Sequence, residues 1–208
     1  MIYTTGSADA AVDLDRLYAP PAETIVKGVM DRLLPFHIAY LNAAPFFCLA
    51  TGAAEGLDAS PRGGEPGFVQ ALDDKTVVFA DWPGNNRIAS LRNLTEDDRV
   101  GMLFLFPGLE VFMRINGHAT ISVAPELLER LAEGGRIPKT AIVVRIDEVL
   151  FHCGKAINRA RLWSAESHID RSCLPSPGQM KTAMLGGDPQ AAKAMDEGYY
   201  RAVRNDLY

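Results

Sequence analysis

The chain has 208 residues, 48% hydrophobic and 23% charged, with 21 basic and 26 acidic side chains and a formal charge of -5. This is ordinary globular composition, with enough chain for one sizeable core and an appendage, and the mild acidity without a long Lys/Arg run excludes the electrostatic footprint of a nucleic-acid binder. No apolar stretch approaches the roughly 20 residues needed to cross a bilayer.

The N-terminal stretch MIYTTGSADAAVDLDRLY has no basic segment followed by an apolar one and makes a poor secretory leader. PAETIVKGVMDRLL, with its leading proline at 20, predicts a helix over 20–34, because Ile25, Val29 and Leu33 recur at helical spacing. Pro35 is expected to break it, and FHIAYLNAA gives a second short helix ending before Pro45. FFCLATG (46–52) and GLDAS (56–60) read as strands joined by a Gly-containing hairpin, followed by turn chemistry in SPRGGEPGF. KTVVFA (75–80) is a short, continuously apolar strand, and 87–94 resembles one or two helical turns.

RVGMLFLF (99–106) and EVFMRINGHATIS (110–122) form a hairpin pair. In the second, Val111, Met113 and Ile115 alternate with Phe112, Arg114 and Asn116, giving two unlike faces. PELLERLAEGG reads as an amphipathic helix with a Gly stop, TAIVVRIDEVLFHCG as a long strand, and KAINRARLW as a helix. From Ser164 onward, a loop (SCLPSPGQ) and two helices (QMKTAML, DPQAAKAMDEGYYRAVRN) make a helical appendage. The fold class is therefore mainly β with flanking helices, an antiparallel barrel or sandwich rather than a parallel α/β sheet. The division is 1–163 for the N-terminal helices and β-core and 164–208 for the extension.

Cys48, Cys153 and Cys173 are an odd set without CxxC spacing and fit reduced thiols in a cytoplasmic protein better than disulfides. His152 beside Cys153 has no second pair at ligand spacing, so no metal site is expected. There is no GxSxG, GxGxxG or GxxxxGK[ST], and no convincing general acid or base.

DWPGNNR, Asp81 to Arg87, has two readings. Asn85 or Asn86 could simply cap the next helix. Alternatively, free N-H groups at a helix start, together with the planar fork of Arg87, make a phosphate site; Arg92 is read as a surface residue. SPRGG supplies a second donor group, Ser60 and Arg62, where Gly63 and Gly64 allow close backbone approach. Lys155, Arg159 and Arg161 form either a solvated basic face or a further anion-facing cluster, and Trp163 is expected to be buried.

In order and spacing, the blocks FFCLATG…GLDASPRGG, TVVFADWPGNNRIASLRNL, RVGMLFLFPGLEVFMRINGHATI and LFHCGKAINRARLW resemble the pyridoxamine 5'-phosphate oxidase-like flavoproteins. The likeness covers about residues 33–163 and is greatest to a bacterial subgroup with DxPGNxR and FHCxKAxxR-type segments. The resemblance implies an FMN-binding split barrel and a homodimer with FMN between the protomers. It puts Arg62, Asn86 and Arg87 on the cofactor phosphate with Ser60 assisting, and Asp81 and Trp82 beside the flavin. Arg114, Lys155 and His152 would then come from the other protomer or close the ring pocket.

Two departures bear on activity. GGEPGF lacks the lysine of the authentic oxidases, and the chain ends in YYRAVRNDLY rather than their substrate-holding Arg-Leu segment. The expectation is accordingly an FMN-dependent oxidoreductase acting on a small molecule. A flavin- or haem-binding protein without turnover, or a deazaflavin-dependent reductase on the same fold, are the alternatives.

Overall fold

The computed structural model describes residues 13–207. The leader reading falls largely on residues 1–12, which lie outside the described residues. Seven strands occur among the described residues: β1 (Phe46–Ala53), β2 (Gly56–Gly63), β3 (Val69–Ala71), β4 (Thr76–Asp81), β5 (Arg99–Leu105), β6 (Val111–Ser122) and β7 (Thr140–Cys153). They form one antiparallel sheet in the order β2-β1-β5-β6-β7-β4-β3, with β2 and β3 at its open edges.

The sheet curls on itself. Phe47 of β1 meets Phe79 of β4 edge-on at 5.0 Å between ring centroids, although these strands are not neighbours in the ladder. Phe47, Phe79 and Phe104 are fully buried with Leu49, Met102, Met113, Ile115 and Ile142, and burying each such side chain is worth about 1.5–3 kcal/mol. Curling is aided by a β-bulge at Asn116/Gly117, because an extra residue bends and twists its strand. A Cβ on Gly117 would lie 2.0 Å from the Arg145 carbonyl oxygen, so glycine alone fits there. The result is a split barrel: an open, curled antiparallel sheet with flanking helices.

The helices are α1 (Leu14–Leu17), α2 (Glu23–Lys27), α3 (Pro35–Ala43), α4 (Ala89–Leu94), α5 (Pro125–Arg130), α6 (Lys155–Ala160), α7 (Pro177–Leu185) and α8 (Ala192–Asn205). The helix expected over 20–34 shrinks to α2. Gly28 is its C-cap, and Met30 leaves the helical path to bridge Val149 of β7. Pro35 opens α3 instead of merely ending its predecessor, since its missing N-H costs nothing in a first turn. SPRGG continues β2 to Gly63 rather than turning at Ser60; Pro61 is tolerated because β2 is an edge. β3 adds a short edge strand that the sequence reading lacks.

KTVVFA is apolar throughout because both faces of β4 are covered. Val77 and Phe79 face the barrel core, while Val78 packs with Ala141, Leu127, Leu128 and Leu131 beneath α5. In the C-terminal segment α7 and α8 pack as a pair. Gly178 N-H donates to Asp196 Oδ1 at 2.7 Å, and Arg171 lies over the Tyr200 ring at 4.0 Å. No helix among the described residues is long and apolar enough to cross a membrane.

α3 is anchored through His37, 1% exposed, whose ring stacks on Phe151 at 5.3 Å and whose Nδ1 accepts from Leu34 N-H at 3.0 Å. Burial holds its pKa below the ordinary 6.5. The unfolded chain therefore takes up the proton first, so this contribution is complete above about pH 6.5 and is lost as the pH falls below it. His37→Asn, which keeps an acceptor for Leu34, is expected to lose less stability than the parent between about pH 7 and pH 5. Urea denaturation at each pH measures this, and parallel stability-pH slopes would remove His37 from the acid response.

Candidate functional site

The curl brings Arg62 of the edge strand β2 to Asp81, the last residue of β4. Arg62 Nη1 donates to Asp81 Oδ1, with the side chains only 19% and 15% exposed. Arg62 Nη2 donates at 3.3 Å to Ser90 Oγ on α4, and that hydroxyl donates at 2.6 Å to Asp58 Oδ2 of β2. Asn93 Nδ2 of α4 donates to Thr51 Oγ1 of β1 at 3.1 Å. A charged pair and two hydroxyls thus fasten the two limbs of the sheet to the short helix between them.

Residues 82–88 span from Asp81 to α4. Asn85 Oδ1 accepts from Arg87 N-H at 3.0 Å, closing a turn of the Asx kind, and does not cap the helix. Asn86 and Ile88 have φ of 60° and 46°. A left-handed backbone is easy for Asn but costly for β-branched Ile, at about 1–2 kcal/mol. Helix α4 starts at Ala89, beyond Arg87, so the capping reading and the helix-start reading of DWPGNNR both give way to a side-chain site on a strained loop.

Between this loop, β2 and the start of β7 is a hollow of about 520 Å³. Arg62 and Arg87 both line it, with Ser60, Asp81, Trp82 and Asn86, so six of the nine sequence-predicted site residues converge here. Lys139 and Thr140 also line it and were missed by sequence reasoning. Their signal lies in strand pairing: Thr140 sits directly opposite Asp81 in the ladder, which carries its neighbour Lys139 to the same rim. Two polar atoms of this wall, Arg62 Nε and Thr140 Oγ1, are buried with no hydrogen-bond partner among the described residues. Unmatched buried polar groups cost about 1–3 kcal/mol each and mark places where something further completes the set.

The remaining three predicted residues lie elsewhere in the chain. Arg114 and His152 project from the outer face of β6 and β7, opposite Leu150 and Phe112 respectively. Arg114 Nη2 donates to Glu148 Oε1 at 3.0 Å, and its Nε is a third unpartnered buried atom. Burial, and then the Arg114 charge, push the His152 pKa below its usual value, so this imidazole is neutral near pH 7. Lys155 is exposed at the start of α6. Trp163 is less buried than expected: it is 36% exposed, with its indole N-H donating to the Leu109 carbonyl at 2.8 Å. Among the described residues no group of three or more His, Cys, Asp or Glu side chains could hold a metal ion.

A family model described as pyridoxamine 5'-phosphate oxidase matches residues 34–153. No curated protein matches the chain. Similar solved structures include HupZ of Group A Streptococcus, 18% identical, covering 56% of this chain and 92% of that one, with a TM-score of 0.46. General Stress Protein 26 of Bacillus anthracis is 12% identical over 55% of this chain and 89% of its own (TM-score 0.44). An FMN-binding protein from Syntrophomonas wolfei is 14% identical over 55% and 80% (TM-score 0.42).

Removing the Asp81 charge tests the fastening of the site. Asp81→Asn strands the half-buried Arg62 guanidinium and is expected to cost about 2 kcal/mol in denaturant unfolding. Asp73→Asn, on the exposed β3–β4 connection, changes stability by less than about 0.5 kcal/mol.

Proposed function

The chain belongs to the pyridoxamine 5'-phosphate oxidase family, and from that premise we propose that it is an FMN-binding flavoprotein, an oxidoreductase acting on a small molecule. The observation that carries the reading is the convergence of Arg62 and Arg87 on one hollow. The donor set suits a phosphate. Arg87 presents a planar fork at the rim, Ser60 a hydroxyl and Asn86 an amide, while Arg62 is held in place by Asp81 and Ser90. Trp82, half-buried at the same rim, offers an apolar plane for a flat ring.

The bound flavin supplies hydride or electron transfer at its ring, and the chain's part is to bind, orient and shield it. The ring wall is completed by a second copy of the chain. In this reading the half-exposed outer face of β5–β7, where Leu103 stands opposite Arg114 and Phe112 opposite His152, meets its equivalent in a homodimer. Arg114, neutral His152 and Lys155 then reach the flavin of the partner protomer. Residues 1–163 form the flavin-binding unit, with 164–208 as a helical extension. Oxidation of a vitamin B6 phosphate is not part of the proposal, because GGEPGF lacks the corresponding lysine. The haem alternative is weaker on geometry, since none of His37, His118, His152 and His168 lines the hollow.

Absorption of the purified protein tests the reading directly. Twin flavin bands are expected, with a released cofactor of the mass of FMN; a single intense Soret band, or no flavin uptake after FMN is added, would overturn it. Arg87→Ala is expected to weaken FMN binding by about 1.5–3 kcal/mol, the worth of hydrogen bonds to a charged partner. Riboflavin, which lacks the phosphate, should bind both forms equally. Fluorescence titration with the two flavins measures both affinities.

A further inference from the structure

Five charged side chains line the hollow: Arg62, Arg87 and Lys139 against Asp58 and Asp81. They are unequal. Arg62 is neutralised by Asp81 and tied through Ser90 to Asp58, so its charge is already answered within the wall. Lys139 and Arg87 are exposed, and among the described residues neither side chain has a hydrogen-bond or ion-pair partner. With Lys139 the wall has a formal surplus of one positive charge; without it the surplus is zero. A phosphate monoester near neutral pH carries close to two negative charges, so a neutral wall would offer it hydrogen bonds but little net attraction.

The backbone fixes where this charge sits. Lys139 stands between the buried Pro138 and Thr140, and Thr140 is paired across the ladder with Asp81. Lys139 is thus the residue through which the chain enters β7 at the rim. Its nearest ladder carboxylate, Asp81, is engaged by Arg62, which leaves the ammonium available to a ligand.

We infer that Lys139 sets the preference of the hollow for a phosphorylated flavin over the unphosphorylated one, by supplying the positive charge that the Arg62–Asp81 pair withholds. The inference rests on the flavin reading, and adds to the two arginine-bearing corners a lysine at the residue that precedes β7. A lysine suits the task because its ammonium acts as a compact point charge beside the planar fork of Arg87.

The experiment is fluorescence titration of the full chain with FMN and with riboflavin, in the parent, Lys139→Ala, Lys139→Arg and Lys139→Glu. Lys139 is exposed, so the variants should keep the parent's thermal unfolding profile. Lys139→Ala should raise the FMN Kd about tenfold, on the scale of a charge-assisted contact, and leave the riboflavin Kd within about twofold. Lys139→Arg should restore FMN binding, and Lys139→Glu should weaken it beyond Lys139→Ala. The deficit of Lys139→Ala should shrink as salt is raised, because exposed charges are screened. An unchanged FMN-to-riboflavin ratio in Lys139→Ala, alongside a lowered ratio in Arg87→Ala, would overturn the inference and leave the flavin reading standing. A parent chain that binds neither flavin would overturn both.

Discussion

The Arg62–Asp81 ion pair joins two strands that share no backbone hydrogen bond. β2 ends one side of the ladder and β4 lies next to the other end, so no strand pairing holds this seam of the barrel together. Apolar packing brings the limbs close, as the Phe47–Phe79 contact shows, but hydrophobic contact has no direction and cannot set register across a seam. A guanidinium engaging a carboxylate on one side and a hydroxyl on the other does have direction. Because Ser90 also reaches Asp58, the same few atoms position β2, β4 and α4 together.

The strained loop follows from that arrangement. Between Asp81, held by Arg62, and Ser90, held by Arg62 and Asp58, the chain must leave a strand, turn and enter a helix. It does so with Asn86 and Ile88 in left-handed conformation, supported by the Asn85 turn. Strain of this kind persists where surrounding contacts over-determine the backbone, and it gathers at binding sites. Here it places Arg87 between two left-handed residues at the rim of the hollow instead of continuing α4 backward through it.

Much of the fold was legible because it rests on local patterns. Alternation in β6 gave its two faces correctly, with Met113 and Ile115 buried and Arg114 and Asn116 on the other side. The unbroken apolar run of β4 reflects its cover by α5, which the sequence also displays as an amphipathic segment. Where reading failed, a tertiary contact had overruled a local signal. SPRGG has the composition of a turn, yet it is an edge strand because β1 pairs with it as far as Gly63. The helical spacing of Ile25 and Val29 was real, but Met30 is captured by β7. Lys139 was missed for a related reason: a lysine before a strand looks like any solvated lysine, and only the pairing of Asp81 with Thr140 carries it to the rim.

The two carboxylates in the proposed anion site look self-defeating until their separate effects are weighed. Asp81 and Asp58 remove net attraction, but in return Arg62 is held rigid, and a rigid donor loses less entropy when a ligand arrives than a free one does. Exposed Arg87 and Lys139 have the opposite character: among the described residues no carboxylate answers their side-chain charge. A site built from one anchored, neutralised arginine and two exposed, unanswered cations separates shape from charge. In the proposed site the anchored part would set where a phosphate-sized group sits, and the exposed cations whether a charged ligand is drawn there at all. Changes to the first should disturb folding and binding together, whereas changes to the second should alter ligand choice and leave the barrel intact.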